Sequence, residues 1–127
     1  MTTRHTVRIR RIYDDPTPRD GTRVLVDRLW PRGVNKSRAH LDEWCKHIAP
    51  STELRQWYHH EPELFDEFSR RYRAELREPE RAEALDHLRE LADQNDLTLL
   101  TGTKNADISE AAVLSELIAE PGRSLEQ

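Results

Sequence analysis

The feature that most constrains the fold is a short apolar run, residues 24–26 (Val-Leu-Val), that changes at the next residue into a charged loop. Two β-branched residues around a leucine favour a strand that is covered on both faces of a sheet. The loop, residues 27–33, has the sequence Asp-Arg-Leu-Trp-Pro-Arg-Gly. Because loops held by a rigid scaffold often carry binding or catalytic groups, this segment is the first candidate for a functional site.

The other apolar patterns predict one domain over residues 7–120, with flexible ends at 1–6 and 121–127. The predicted strands cover residues 7–13, 23–29 and 97–101. The predicted helices cover residues 37–49, a short segment capped by Ser51, a segment from Pro62, a segment after Pro79, and residues 107–119 with a capping box from Asp107 to Glu110. Strands separated by helices indicate an α/β fold, a small and mostly parallel sheet flanked by helices. The first strand, with its arginines, is expected at an edge or half-covered position.

Apolar side chains at helical spacing define the predicted core. The helix from Pro62 has its stripe at Leu64, Phe65, Phe68, Tyr72 and Leu76, and the next has Leu85, Leu88, Leu91 and Ala92. In the helix predicted for 37–49, the corresponding face is Leu41, Trp44, Cys45 and Ile48. Cys45, the only cysteine, is therefore expected to pack in the core, and no internal disulfide or multi-cysteine zinc site is possible.

Composition narrows the class of protein. The chain has 127 residues and a net charge of −4, and it contains no apolar run long enough to span a membrane and no signal peptide pattern, so a cytoplasmic protein is expected. The charge is uneven: residues 1–40 carry a net +6 and the remainder −10. This asymmetry indicates either a local positive surface or attraction between the two parts of the fold.

Several motifs together resemble a known family. They are residues 24–33 with Lys36, residues 49–54, residues 57–62, Phe68 with Arg71 and Tyr72, and residues 97–100 with Lys104. This set is similar to the YeaO-like branch of the bacterial domain-of-unknown-function family number 488 (DUF488), and the similarity covers residues 7–119. The resemblance implies a small bacterial α/β protein; it implies no reaction and no cofactor.

The chain departs from that family pattern at two places. Thr101 stands where relatives commonly have tyrosine, and Ser109 and Glu110 stand where asparagine followed by histidine or glutamine is usual. If these positions touch a ligand, this protein binds a different ligand or binds it more weakly. Alternatively, Ser109 and Glu110 only cap the final helix.

The two polar loops, residues 27–33 and 101–105, should leave neighbouring parallel strands at the carboxyl edge of the sheet, where ligands of such folds collect. The predicted ligand-binding residues are Arg28, Trp30, Arg32, Gly33, Gly102 and Lys104. Guanidinium and ammonium groups with exposed backbone amides suit an anion or phosphate, and the indole offers an aromatic wall. The alternative is structural: Asp27 pairs with Arg28 or Lys104, and Trp30 packs beneath the first helix.

Asp27 and His60 are the candidates for proton transfer. Asp27 ends a buried strand beside arginines, and an imidazole changes its charge near neutral pH. Residues 59–61 (His-His-Glu) do not have the spacing of a metal site, so no metal is predicted. His40, His47 and His87 are expected at the surface.

Three functions remain open from the sequence. The first is a small-ligand protein for an anionic or phosphorylated ligand, with or without enzymatic activity. The second is an interaction module or homo-oligomer with an exposed aromatic patch of Trp30, Trp57 and Tyr58. The third is nucleic-acid association through the basic residues 4–38, against which the acidic remainder argues.

Overall fold

A computed structural model of the protein describes residues 5–119. The strands are β1 (Val7–Arg11), β2 (Thr22–Leu25), β3 (Glu43–Trp44) and β4 (Leu97–Thr101). The helices are α1 (Lys36–Ala39), α2 (Thr52–Tyr58), α3 (Phe65–Glu75), α4 (Pro79–Gln94) and α5 (Glu110–Ala119). Short 3₁₀ turns occupy Pro18–Asp20, Lys46–Ile48, Pro62–Leu64 and Ala106–Ile108.

The four strands form one parallel sheet in the order β1-β4-β2-β3. Val7 and Thr22 both pair with Leu97 from opposite sides, so β4 lies at the centre. All five residues of β4 are buried, whereas those of β1 at the edge are only half-buried. The small α/β fold with a parallel sheet and an edge position for the first strand is confirmed.

Alternate residues of β4 contact the two faces of the sheet. Leu97 and Leu99 belong to the larger core cluster, and Leu100 belongs to a smaller one. The larger cluster is built from the predicted stripes of α3 and α4 and from the last helix; its fully buried members include Phe68, Tyr72, Leu88, Leu114 and Ile118. The predicted core stripes of these helices are confirmed.

The helix predicted for residues 37–49 is wrong. The α1 helix ends after one turn at His40, which adopts the left-handed conformation with φ 51°, and the chain then forms β3 beside β2. Trp44 packs against the smaller cluster, whereas Cys45 and Ile48 pack with the larger one. Apolar residues at helical spacing are therefore shared between opposite faces of the sheet.

Several other predicted boundaries move. The β2 strand ends at Leu25 rather than at residue 29, and β1 ends at Arg11 rather than at residue 13. The α5 helix begins at Glu110, so the capping box from Asp107 is wrong; instead the Ser109 hydroxyl accepts a hydrogen bond from the Ala111 N–H at 3.2 Å. The predicted flexible ends lie outside the described residues, apart from His5 and Thr6.

A buried carboxylate fixes the segment that enters β2. Asp20 is 1% exposed and forms ion pairs with Arg8, Arg10 and Arg23. Thr17 donates to it through its backbone N–H at 3.0 Å and its hydroxyl at 2.9 Å. Three arginines of the basic segment are thus held by an internal partner. Among the helices of residues 5–119, none has the length and apolar character that a bilayer crossing requires.

Candidate functional site

The loops after β2 and β4 meet at Asp27. Its carboxylate accepts a hydrogen bond from the Thr101 hydroxyl on one oxygen and from the Gly102 N–H on the other, both at 2.8 Å. The Trp44 indole N–H donates to the Asp27 carbonyl, also at 2.8 Å. Both the main chain and the side chain of Asp27 are therefore fixed, which is the arrangement a preorganised polar site requires.

Gly102 allows this close approach. A Cβ atom at this position would lie 2.9 Å from the Cβ of Pro31 and 3.3 Å from the Asp27 carboxylate. The absence of a side chain lets the backbone N–H of Gly102 reach Asp27, so this amide is directed at a protein carboxylate.

A second carboxyl group, that of Glu110 in the first turn of α5, contacts Asp27. Burial of the Glu110 carboxyl raises its pKa well above the usual range, and the hydrogen bond and negative charge of Asp27 raise it further. The raised pKa favours the protonated form of Glu110, whose O–H can donate to the Asp27 carboxylate.

This carboxyl pair lines a cleft of about 320 Å³ at the carboxyl edge of the sheet. The cleft walls come from four separate parts of the chain, within residues 27–29, 49–60, 68 and 103–110. The lining residues are Asp27, Arg28, Leu29, Ala49, Pro50, Arg55, Gln56, Tyr58, His59, His60, Phe68, Thr103, Ser109 and Glu110. A cleft of this volume is at the lower end of the range for small-molecule sites.

Two arginines contribute the positive charge of the cleft. Arg28 is exposed, and its guanidinium makes no ion pair or hydrogen bond within residues 5–119. The Nε atom of Arg55 is buried and has no hydrogen-bond partner among the described residues, although the Nη2 atom donates to Thr52 at 3.2 Å. An unsatisfied buried N–H costs about 1–3 kcal/mol, so an acceptor that entered the cleft would be favoured.

The segment after α2 forms another part of the wall. His59 and His60 have φ angles of 48° and 56°, in the left-handed region that residues other than glycine seldom adopt. Beside them, Tyr58 is buried, stacks on Phe68 at 4.2 Å between ring centroids, and donates its hydroxyl proton to the Ile108 carbonyl. Burial and the nearby Glu110 raise the pKa of Tyr58 to about 12, so it stays a neutral part of the wall.

The structure brings together three of the residues singled out in the sequence, Asp27, Arg28 and His60, in the lining of this cleft. Trp30 points elsewhere: its indole N–H donates to the Val34 carbonyl at 2.8 Å and its ring meets Trp44 edge-on. Trp30 packs with the smaller core cluster.

The other predicted binding residues lie outside the cleft lining. Arg32 and Lys104 are exposed, and Gly33 lines a separate cleft beside Tyr13. In the part of the chain that the structure describes, no group of three or more His, Cys, Asp or Glu side chains could hold a metal ion.

The aromatic patch predicted from Trp30, Trp57 and Tyr58 is not formed, because Tyr58 is only 4% exposed and Trp30 packs with the smaller cluster. Trp57 is partly exposed and lies beneath the guanidinium of Arg71 at 4.1 Å. The ion pair predicted between Asp27 and Arg28 or Lys104 does not form either; Asp27 bonds to Thr101 and Gly102 instead.

Sequence reasoning missed Arg55 and Glu110 as parts of this cleft. The only signal for Glu110 was the departure from the family pattern at Thr101, Ser109 and Glu110. All three positions converge here: Thr101 holds Asp27, while Ser109 and Glu110 line the cleft. Ser109 also caps α5, as the alternative interpretation of that position predicts, and a ligand contact at Ser109 stays a prediction.

Comparisons with known proteins agree with the resemblance seen in the sequence. A family model described as "Inactive DUF488-N3 subclade" matches residues 6–126. An uncharacterised protein of Mycobacterium tuberculosis is 49% identical over 112 residues, which cover 88% of this chain and 92% of that protein. The uncharacterised protein YeaO of Escherichia coli is 43% identical over 110 residues, covering 87% and 94% of the two chains. No solved structure matches significantly.

Proposed function

Because the chain belongs to the DUF488 family, in a branch described as the inactive DUF488-N3 subclade, we propose that it binds a small anionic ligand, one that carries a phosphate group, in the cleft beside Asp27. The proposed activity is binding rather than turnover. Asp27 and His60, the candidates for proton transfer, then serve as polar walls of a binding site.

The observation that supports this proposal is the state of the two arginines in the cleft. Within residues 5–119, the guanidinium of Arg28 has no partner and the buried Nε of Arg55 has no acceptor. A guanidinium presents a planar set of donors that matches the oxygens of phosphate. A phosphate in the cleft would satisfy the Arg55 N–H and neutralise a charge that the protein itself leaves unpaired.

The charge of the cleft wall formed by Asp27 and Glu110 is compatible with an anionic ligand. Two ionised carboxylates next to the arginines would oppose an anionic ligand, but the raised pKa of Glu110 favours its protonated form and so reduces the negative charge beside the arginines. The volume of the cleft, about 320 Å³, suits one small metabolite.

A binding screen with matched variants tests the proposal. We would measure thermal shifts and then titration calorimetry with inorganic phosphate, sulfate, glycerol 3-phosphate and mononucleotides. A ligand at ~100 times its dissociation constant stabilises the fold by roughly 2.7 kcal/mol, a readily measured shift. We expect Arg28→Ala and Arg55→Ala each to weaken binding at least tenfold.

Arg32→Ala is the control, because Arg32 lies in the same loop as Arg28, is exposed, and is outside the cleft lining. It should leave the affinity unchanged within a factor of two. The proposal is wrong if no phosphate-bearing compound binds the wild type, or if Arg32→Ala weakens binding as much as Arg28→Ala.

A further inference from the structure

We propose that the Asp27–Glu110 pair is a second subsite of the cleft that receives hydroxyl groups, so that the ligand is a small polyol phosphate or sugar phosphate. This inference rests on the proposed function, because it takes the phosphate to lie with the arginines. It assigns the remaining polar groups of the cleft to the uncharged part of the same ligand.

The geometry of Asp27 leaves it able to accept further hydrogen bonds. Each of its oxygens already accepts one fixed donor, from Thr101 or Gly102. A carboxylate has about four acceptor positions, and only one more is used by the proton of Glu110. Asp27 therefore keeps one acceptor position for a ligand, and its carboxylate is held rigidly by its neighbours and lines the open cleft.

Glu110 supplies the complementary capacity. In its protonated form the Glu110 carboxyl donates to Asp27, and its other oxygen is an acceptor. None of the salt bridges formed within residues 5–119 uses Asp27 or Glu110, although Arg55 lies near enough to Glu110 for its charge to favour the ionised form. Thr103 also lines the cleft and adds an uncharged polar side chain to its residues.

The other charges of the cleft decide which donor the pair accepts. An ammonium group would be drawn to the Asp27 carboxylate but would enter a small cavity that two guanidiniums and two imidazoles also line. A neutral hydroxyl meets no such repulsion. It can donate to the acceptor position of Asp27 that remains open, or to the free oxygen of Glu110.

The decisive experiment compares two ligands with the same phosphate group. Glycerol 3-phosphate carries two hydroxyls on a three-carbon chain, and propyl phosphate carries none. By titration calorimetry, wild-type protein should bind glycerol 3-phosphate at least tenfold more tightly. Phosphoethanolamine, with an ammonium group, should bind more weakly than glycerol 3-phosphate.

Variants then assign the preference to the pair. Glu110→Ala should remove the preference for glycerol 3-phosphate while the affinity for propyl phosphate stays within a factor of three. Glu110→Gln should keep most of the preference, because its amide can donate to Asp27 and its oxygen can accept. Both variants are compared with wild type by circular dichroism, and if Glu110→Ala does not fold, the comparison of the three ligands on wild-type protein still tests the subsite.

The outcomes separate the two proposals. Equal affinities for glycerol 3-phosphate and propyl phosphate, or tighter binding of phosphoethanolamine, would overturn the hydroxyl subsite and leave the phosphate site intact. A preference that survives in Glu110→Ala would also overturn it. If neither phosphate compound binds, the proposed function itself fails, and the subsite fails with it.

Discussion

Replacing Asp20 with asparagine tests whether the buried ion-pair cluster stabilises the fold. Burial by itself would raise the pKa of Asp20, but hydrogen bonds from Thr17, Arg23 and Arg10 outweigh it and lower the pKa from 3.8 to about 2. A tenfold change in an acid dissociation constant corresponds to about 1.4 kcal/mol, so ionised Asp20 contributes about 2 kcal/mol of stability at neutral pH.

The asparagine variant should lose more than this at neutral pH. The Arg23 side chain is 5% exposed, and in the variant its charge keeps only neutral acceptors, the carbonyls of Ala39 and His40 and the new side-chain amide oxygen. Removing one member of a buried pair typically costs about 3–5 kcal/mol. We therefore expect Asp20→Asn to lower the free energy of unfolding by about 3–5 kcal/mol at pH 7.

The pH dependence distinguishes the charge from simple packing. Since the folded pKa is depressed, the contribution is fully present above the unfolded value of 3.8 and is lost as the pH falls towards 2. The difference between wild type and Asp20→Asn should therefore narrow on acidification, by about 1 kcal/mol at pH 3.

Urea denaturation followed by tryptophan fluorescence at pH 7, 5, 4 and 3 would measure these differences. Asp15→Asn is the matched control, because Asp15 is exposed and only its backbone carbonyl forms a hydrogen bond, to Arg10. It should change stability little at any pH. A loss below about 1 kcal/mol for Asp20→Asn at pH 7, or a difference that does not narrow in acid, would refute the reasoning.

Three further predictions concern single residues. Gly21→Ala should lower the free energy of unfolding by roughly 3 kcal/mol or more, because at φ +63° its Cβ would lie 2.1 Å from the Asp96 carbonyl oxygen. Gly33→Ala, at φ +78° but with no atom near the added Cβ, should lower it by only about 1–2 kcal/mol. Equal losses for the two variants in urea denaturation would contradict this. Because the pKa of Glu110 is raised in the folded protein, the folded state keeps a proton that the unfolded state loses above the usual glutamate pKa of 4.5. The free energy of unfolding of wild type should therefore fall as the pH rises above 4.5, by at most about 1.4 kcal/mol per pH unit. Glu110→Gln should be more stable than wild type at pH 7 and nearly equal to it at pH 4, and a difference independent of pH would exclude this account. Burial and the charge of Glu43 raise the pKa of Cys45 to about 11, so Cys45 should react with a disulfide reagent far more slowly in native protein than in urea, and equal rates would be inconsistent with its packing.

Most of the fold could be predicted where one residue pattern had one structural explanation. The stripe on α3 is one example, since it is buried against a single core cluster, and the apolar run of β4 is another, since a continuous apolar run fits a central strand covered on both faces. The segment 37–49 shows why other parts could not. Its apolar residues have helical spacing, but they lie on two faces of a sheet because part of the segment pairs with β2, which is distant in the sequence.

The candidate site could also be predicted only in part from the sequence. Asp27 stands directly after a buried strand, and this position alone placed it at the edge of the sheet. Arg55 and Glu110 reach the cleft only through tertiary packing, because within their own helices each has the ordinary character of a polar helix residue. The sequence carries the polar groups of the site but does not show which of them meet.

The central position of β4 has a consequence for the order of folding. The two strands made early in synthesis, β1 and β2, do not pair with each other, because β4 lies between them and begins only at Leu97. A nascent chain that ends before this residue has the apolar segment of β2 but no partner strand on its β1 side. Because the sheet closes through contacts between distant parts of the sequence, folding should be slow for the size of the domain and should follow, rather than accompany, most of translation.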